Sequence, residues 1–307
     1  MTPSRRAWLL GAGALSLTGC AGWWGGRAAP GGAPDPEPSA PGPAVPGVHT
    51  LEETVEGYPR RALLFVPEGV KVPAPVVMGI HGSKDSPEAF LGSWREALAS
   101  RGWVGLFPST GHAGKPVLDG SGDTPFMVRL LDRVAEEHPV DAEQVYVAGF
   151  SGGARETYRL ASRHGRRLAA IGAAAGVVAY AEDPPGGSDP RVHGVGPLSV
   201  IHIHGKRDAK VRLQGGVHRA ADGSEHRMLP TLEGMQRWIA LDRGEEQARA
   251  PVGYGPSRLR ARRWVGPSGH QVWLVVDPEL GHAWPRYGAE LMARFFEAQP
   301  RRTDPAG

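Results

Sequence analysis

The sequence predicts an α/β protein with a mostly parallel central sheet and helices on both faces. Short runs of small and β-branched apolar residues, typical of strands buried on both faces, recur from about residue 50 onward. Segments with apolar residues at helical spacing separate most of these runs. This alternation favours parallel strands joined by crossover helices. The stretch of roughly 260 residues after the N-terminal region is long enough for one large domain of this kind.

The predicted elements follow in chain order. An antiparallel pair of strands opens the domain at 51–55 and 61–66, and a fully buried strand follows at 74–80. Further strands are expected at 103–107, 144–148, 169–175 and 198–204, with a late pair at 258–265 and 271–276. Helices are expected at 88–101, 125–137, 154–164, 231–241 and 288–296.

Residues 1–19 are interpreted as an export signal that is not part of the fold. Two arginines precede a mostly apolar run that is too short to span a bilayer. Residues 17–20, Leu-Thr-Gly-Cys, resemble a bacterial lipobox, and this resemblance implies that Cys20 carries the lipid. Residues 4–10 also resemble a twin-arginine signal, with Trp8 where Phe is usual. Because Cys20 is the only cysteine, the exported domain is expected to have no disulfide.

The remaining chain is divided by composition. Residues 20–47, after the anchor at Cys20, are rich in Pro, Gly and Ala and are predicted to form a tether. Residues 48–300 are expected to form the domain and 301–307 a tail. Removal of residues 1–19 lowers the formal charge from +3 to +1, so nothing favours a nucleic-acid partner. The predicted location is the bacterial cell envelope, with the lipid anchor as the contact to the membrane.

Residues 149–153, Gly-Phe-Ser-Gly-Gly, are the most informative motif. A Gly-x-Ser-x-Gly sequence between a buried strand and a helix predicts a nucleophile elbow centred on Ser151. Gly149 and Gly153 give the close approach that a sharp turn requires, and Ser151 lies where the free N–H groups of a helix favour negative charge. In a chain with 44 glycines the five letters alone are weak, so the strand and helix around them carry the prediction.

A serine nucleophile needs a base and a group that orients the base. Asp208 follows the predicted strand 198–204 and is the predicted orienting acid, while His282 follows strand 271–276 and is the predicted base. Because sites in open α/β sheets lie at the carboxyl ends of strands, Ser151, Asp208 and His282 are expected to meet.

The loop after strand 74–80 is the predicted second half of an oxyanion hole. A backbone N–H of Gly82 or Ser83 is expected to act together with that of Gly152, although an ordinary glycine turn is the alternative. His81 and Trp284 are possible substrate contacts. A buried loop anchor is an equally good interpretation of Trp284.

Other acidic residues are less favoured as the acid that orients the base. Asp183 and Asp189, in a loop rich in Pro and Gly, are the alternatives to Asp208. Asp277 and Glu279 precede His282 and are interpreted as turn residues.

His202 and His204 point to the same face of their predicted strand, a spacing that a metal site can use. No further histidine or carboxylate lies at a suitable offset, so we predict a structural pair. The prediction therefore includes no metal and no cofactor.

The chain order of serine, acid and histidine is that of the α/β-hydrolase fold, and the chain resembles that superfamily over about residues 50–298. His81-Gly82, the motif at 149–153, His204-Gly205 with Asp208 and Val211, and residues 281–285 are similar to the poly(3-hydroxybutyrate) depolymerase and feruloyl esterase group. The resemblance implies a serine esterase that cleaves carboxylic esters in polyesters, acylated polysaccharides or small acyl esters. Members of that group often carry disulfides, which this chain cannot form within itself.

Three alternatives stay open. The elbow also resembles the phospholipase/carboxylesterase group, which usually has Gln at the position of Gly152. A prolyl-oligopeptidase-type hydrolase shares the sheet and the order of the triad, but it usually carries an N-terminal propeller for which the tether leaves no room. The non-enzymatic alternative is a lipid-anchored binding protein, which has no need for the three polar residues at strand ends.

Overall fold

Twelve strands and five helices build the part of the chain that the computed structural model describes, residues 45–55, 57–110, 123–182, 195–219, 223 and 225–301. The strands are β1 (Gly47–Val55), β2 (Tyr58–Val66), β3 (Ala74–Ile80), β4 (Val104–Pro108), β5 (Val140–Phe150), β6 (Ala170–Ala174), β7 (Ser199–Gly205), β8 (Gly216–Arg219), β9 (Glu225–Met228), β10 (Glu245–Glu246), β11 (Arg260–Val265) and β12 (Gln271–Asp277). The helices are α1 (Pro87–Ala99), α2 (Asp123–Glu137), α3 (Gly152–His164), α4 (Thr231–Leu241) and α5 (Gly288–Glu297).

The main sheet has the strand order β1-β2-β4-β3-β5-β6-β7-β12-β11-β10. The strands from β4 to β12 pair in parallel, and the strands on both flanks pair antiparallel. Ile80 pairs with Gly149, and Val276 pairs with His204. The carboxyl ends of β3, β5, β7 and β12 therefore lie along one edge, where the candidate site forms.

Apolar side chains cover both faces of the sheet. One cluster includes Phe126, Tyr158 and Trp238, from α2, α3 and α4. A second cluster includes Trp94 and Phe296, from α1 and α5. A fully buried large apolar side chain contributes about 1.5–3 kcal/mol, so these two layers hold the parallel strands in place.

The predicted fold class is confirmed, and most elements lie close to their predicted positions. The bounds of β3 and α4 agree with the prediction. Helix α1 begins one residue earlier and ends two residues earlier than predicted. Its start is set by Ser86, whose Oγ accepts a hydrogen bond from the N–H of Ala89 at 3.3 Å.

The hairpin β8–β9 and the short strand β10 were not predicted. The hairpin has four residues in each strand, with charged residues and histidines on both, so it shows no apolar alternation in the sequence. Its strand β9 bridges to Tyr180, which follows β6.

The predicted tail begins at a residue that contacts the domain. The guanidinium of Arg301 forms ion pairs with Asp141 and Glu143. The predicted signal at 1–19, Cys20, most of the tether, residues 302–307, and the alternative acids Asp183 and Asp189 lie outside the described residues. Among the residues described, no helix has both the length and the apolar character needed to cross a membrane.

Candidate active site

Ser151 lies at a sharp turn between β5 and α3. Its backbone has φ 53° and ψ −113°, a conformation that residues other than glycine rarely adopt. Its N–H donates to the carbonyl of Ala174 at 2.9 Å, which ties the turn to the neighbouring strand. The strained backbone places the serine at the carboxyl edge of the sheet, as an elbow requires.

Gly149 and Gly153 allow this turn by close contact. A Cβ on Gly149 would collide with the Gly153 carbonyl and would lie 2.6 Å from Oγ1 of Thr157. A Cβ on Gly153 would collide with the carbonyl of Ile80 and would lie 2.6 Å from that of His81. Both glycines are thus required by the packing of β3, β5 and α3.

The structure brings Ser151, His282 and Asp208 together. The Ser151 Oγ lies 2.9 Å from His282 Nε2, and His282 Nδ1 lies 2.8 Å from Asp208 Oδ2. An ionised carboxylate can only accept, so Nδ1 of His282 carries the hydrogen in this contact. Nε2 is then free to accept the proton of the serine hydroxyl.

The carboxylate of Asp208 is buried and fixed by its own loop. Its Oδ1 accepts hydrogen bonds from the N–H groups of Lys210 at 2.9 Å and Val211 at 2.8 Å. Burial by itself raises the pKa of Asp208, but the hydrogen bonds from His282, Val211 and Lys210 outweigh it. The pKa of this carboxyl therefore lies below its usual value, and the group stays ionised beside His282.

The loop that carries His282 is held by a buried carboxylate at the end of β12. Asp277 accepts from the guanidinium of Arg258 at 2.8 Å, from the hydroxyl of Tyr287 at 2.9 Å and from the N–H of Glu279 at 3.0 Å. Asp277 thus stabilises the turn, as predicted, and also joins both ends of the loop. The sequence carries no local pattern that links Arg258 or Tyr287 to this carboxylate.

Trp284 has the position of a loop anchor. Its ring centroid lies 4.8 Å from that of Phe90 and 6.1 Å from that of Trp94, in the apolar cluster under α1 and α5. Phe150 lies between this cluster and the site, with its ring centroid 5.5 Å from that of His282. The packing of Trp284 therefore helps to fix the position of His282.

His81 is buried, and both of its ring nitrogens have partners in the protein. Nδ1 lies 2.8 Å from the carbonyl of Gly82, and Nε2 lies 3.1 Å from Oγ1 of Thr110. The expectation that His81 contacts substrate therefore has no support from its contacts, because the ring holds the loop instead.

The contacts of His81 also orient the next peptide group. The carbonyl of Gly82 accepts from the His81 ring and, at 3.0 Å, from the N–H of Asp85. In a trans peptide the C=O and N–H groups point in opposite directions. The N–H of Ser83 is therefore directed away from the His81 ring.

The N–H of Gly152 is the first of helix α3. The Ser151 side chain does not cap the helix, and the first N–H groups of any helix have no acceptor within it. Together with the positive end of the helix dipole, this N–H can bind an anion that forms on a carbonyl attacked by Ser151.

The imidazole rings of His202 and His204 are hydrogen-bonded to each other. Nε2 of His202 lies 2.9 Å from Nδ1 of His204, so the pair forms part of a hydrogen-bond network in the core. In the described ranges, no three side chains of His, Cys, Asp or Glu are grouped in a way that could hold a metal ion.

The strand order, the turn at Ser151 after β5, the acid after β7 and the histidine after β12 define the α/β-hydrolase fold. Comparison with known proteins shows which family model and which relatives the chain resembles. Residues 61–185 match the family model described as Esterase PHB depolymerase. A curated relative, a bifunctional acetylxylan esterase/xylanase from Neocallimastix patriciarum, is 25% identical over 167 residues, which is 52% of this chain. The chain matches 23% of the length of that relative.

Solved structures share the fold. An acetyl xylan esterase from Aspergillus awamori aligns with a TM-score of 0.61 at 14% identity, over 81% of this chain and 99% of that one. A poly(3-hydroxybutyrate) depolymerase from Bordetella parapertussis aligns with a TM-score of 0.55 at 18% identity, over 83% and 92%. The predicted α/β-hydrolase fold and the resemblance to the poly(3-hydroxybutyrate) depolymerase group are confirmed, and these matches support an esterase as the class of enzyme.

Proposed function

We propose that the protein hydrolyses carboxylic esters through an acyl group carried on Ser151. The observation that carries this proposal is the hydrogen-bonded series from Ser151 Oγ through His282 to Asp208, set on a strained turn at a helix N-terminus. A strained nucleophile next to a base whose other nitrogen binds a buried carboxylate is the arrangement that serine acyl transfer needs.

In the first step His282 Nε2 accepts the proton of Ser151 while Oγ attacks the carbonyl carbon of the ester. Asp208 stabilises the imidazolium that forms, without taking its proton. The tetrahedral intermediate collapses, the bond to the alcohol oxygen breaks, and His282 returns its proton to the leaving alkoxide. Water then attacks the acyl-serine in the same way and releases the acid and free Ser151.

Two backbone donors are proposed to stabilise the negative charge on the carbonyl oxygen, the N–H of Gly152 and the N–H of Gly82 or Ser83. A donor of this kind contributes about 3 kcal/mol to the stabilisation of the transition state. Gly152 offers the first N–H of α3, which has no acceptor within the helix, and the peptide group between Gly82 and Ser83 is held by His81 and by the turn to Asp85.

We propose short acyl groups, above all acetyl, on a polymeric alcohol as the substrate class. The family name refers to a polyester, and the names of one curated relative and one structural neighbour refer to acetylated xylan.

The test uses chromogenic p-nitrophenyl esters from acetate to long acyl chains, with the wild type, Ser151→Ala and a control, Ser162→Ala. Ser162 is a buried serine of the same helix, and its Oγ donates to the carbonyl of Arg159. We expect hydrolysis that favours acetate, is lost in Ser151→Ala and remains in Ser162→Ala. Equal rates in wild type and Ser151→Ala would rule out Ser151 as the nucleophile. A preference for long acyl chains would rule out short acyl groups as the substrate class.

We also propose that the chain is exported and anchored to a membrane of the cell envelope by a lipid on Cys20. The lipobox-like residues 17–20 and the lack of any other cysteine support this proposal. Cells expressing the wild type in the presence of an alkyne-bearing fatty acid should yield labelled protein in the membrane fraction. Cys20→Ser should remove the label, and a label that persists in this variant would contradict the proposal.

A further inference from the structure

A series of hydrogen bonds runs through the core behind the candidate site. The hydroxyl of Tyr158 lies 2.7 Å from His202 Nδ1, and His202 Nε2 lies 2.9 Å from His204 Nδ1. His204 Nε2 lies 2.8 Å from the carbonyl oxygen of Val211. The three side chains are almost completely buried, and the series connects α3, β7 and the loop that carries Asp208.

The last acceptor fixes the direction of every hydrogen bond in the series. A backbone carbonyl can only accept, so His204 carries its hydrogen on Nε2 and its Nδ1 must accept. His202 therefore donates from Nε2, and its Nδ1 accepts the hydroxyl hydrogen of Tyr158. Each ring has one possible tautomer, and all the polar atoms of the two imidazoles are satisfied.

Both imidazoles are held in the neutral form. Burial lowers the pKa of His202 well below its usual value, and the nearby His204 lowers it further. Burial also lowers the pKa of His204, although the Val211 carbonyl and the Asp208 carboxylate oppose this shift. His204 Nε2 lies 3.8 Å from Asp208 Oδ2. Because the His204 ring is neutral, it forms no ion pair with Asp208, and the carboxylate charge acts on His282.

Val211 is held on both sides of its backbone. Its carbonyl accepts from His204, and its N–H donates to Oδ1 of Asp208. A displacement of the Val211 carbonyl would therefore move the donor that orients the carboxylate. The other oxygen of that carboxylate is the one that binds His282.

We propose that His204 is a positioning residue that fixes Val211 and thereby the orientation of Asp208 toward His282. Hydrogen bonds from His202 and Tyr158 keep His204 in its tautomer. The proposal rests on the proposed function, since it takes Asp208 as the acid of the triad. Because α3 carries Ser151 at its N-terminus and Tyr158 two turns further on, the series also ties the nucleophile's helix to the loop of the acid.

The first test compares two substitutions that differ in where they place an N–H donor. The side-chain amide of His204→Gln can reach the position of Nε2, whereas that of His204→Asn is one bond too short. With p-nitrophenyl acetate, we expect His204→Asn to lower kcat by about 10²-fold with KM nearly unchanged, since a misplacement of about 1 Å can have this effect. His204→Gln should recover at least about tenfold of the loss.

The second test removes only the first donor. Tyr158→Phe deletes the hydroxyl that binds His202 and keeps the ring, and Tyr146→Phe is its matched control. Tyr146 is equally buried, but it stacks on Phe296 in the other apolar cluster. We expect a lower kcat for Tyr158→Phe alone. If His204→Asn fails to fold, this pair decides the question with the same kinetic readout.

The third test is independent of activity. In protein labelled with ¹⁵N-histidine, NMR should show His202 and His204 neutral and protonated at Nε2 from about pH 8 to about pH 6. The downfield signal of the His282 Nδ1 hydrogen should persist in His204→Gln and should shift in His204→Asn. An Nδ1-protonated His204, or a charged one, would overturn the proposal.

These outcomes separate the two proposals. Equal activity in wild type and Ser151→Ala would refute the proposed function, while the NMR test of the tautomers would still stand. An inactive Ser151→Ala together with wild-type kcat in His204→Asn would leave the function intact and overturn the positioning role.

Discussion

At the residue scale, the site depends on contacts that only glycine permits. Ser151 has a positive φ, and the turn persists because Gly149 and Gly153 let two backbones come into contact. The same principle applies on the oxyanion side. A Cβ on Gly82 would lie 2.9 Å from Cδ1 of Phe150, whose ring is adjacent to His282. Substitutions at such positions act on the geometry of the site without removing a functional group.

Gly82→Ala should therefore lower activity by displacing the ring of Phe150. We expect kcat on p-nitrophenyl acetate to fall about tenfold, with a loss of about 1–3 kcal/mol in the free energy of unfolding from overpacking. The measurements are steady-state kinetics and urea denaturation. The double variant Gly82→Ala with Phe150→Leu should regain part of the lost kcat and part of the lost free energy of unfolding, because leucine is smaller than phenylalanine and makes room for the added methyl group. An unchanged kcat in the single variant would show that the ring does not determine the geometry of the site.

At the scale of elements, the loops after β7 and β12 support each other through their backbones. The N–H of Lys206 donates to the carbonyl of Asp277 at 2.8 Å, and that of Arg207 donates to Leu280 at 3.0 Å. A Cβ on Gly205 would collide with the carbonyl of Leu280 and lie 2.7 Å from that of Gly281. The loops that carry the acid and the base are thus packed as one unit, although 74 residues separate Asp208 from His282.

Gly205→Ala should separate these two loops. The added methyl group would push residues 280–281 away and lengthen the contact between His282 and Asp208. We expect kcat to fall by about 10²-fold and the protein to lose about 1–3 kcal/mol of stability. Kinetics with p-nitrophenyl acetate and urea denaturation would measure both.

Gly92→Ala is the matched control for this substitution. Gly92 lies in the exposed face of α1, and a Cβ there would contact nothing. Alanine is the better helix former, so this variant should gain about 1 kcal/mol with unchanged kcat. If Gly205→Ala had the kinetics of Gly92→Ala, the two loops would not be coupled.

The elements show which parts of the structure the sequence could predict. The sequence could predict that Ser151, Asp208 and His282 meet, because each follows a buried strand and the parallel sheet brings strand ends together. The Asp277 contacts with Arg258 and Tyr287, and the series from Tyr158 to Val211, depend on how loops and helices pack. Tyr158 lies 44 residues from His202, and nothing in local spacing or periodicity links them. The hairpin β8–β9 was missed because its residues show no apolar alternation, and its contacts with Tyr180 come from distant sequence.

At the scale of the whole molecule, fully and partly buried histidines make stability depend on pH. Burial lowers the pKa of His138, His164, His202, His204, His218 and His270. In the unfolded chain a histidine takes up its proton near pH 6.5. Below that pH the unfolded state binds more protons than the folded state, so the free energy of unfolding falls as the pH falls. The carboxyl groups with lowered pKa values, such as Asp208 and Asp277, add to this loss at lower pH.

His202→Gln should make the decline between about pH 6.5 and pH 5 less steep. A histidine that stays neutral in the folded state costs about 2 kcal/mol of stability at pH 5, because each pH unit below 6.5 is equivalent to about 1.4 kcal/mol. His202 fits this case because it is fully buried and has its pKa lowered well below the usual value. Urea denaturation across this pH range measures the slope. Gly92→Ala should give a curve parallel to that of the wild type, since it changes no titrating group, whereas an equally parallel curve for His202→Gln would show that His202 does not contribute to the acid sensitivity.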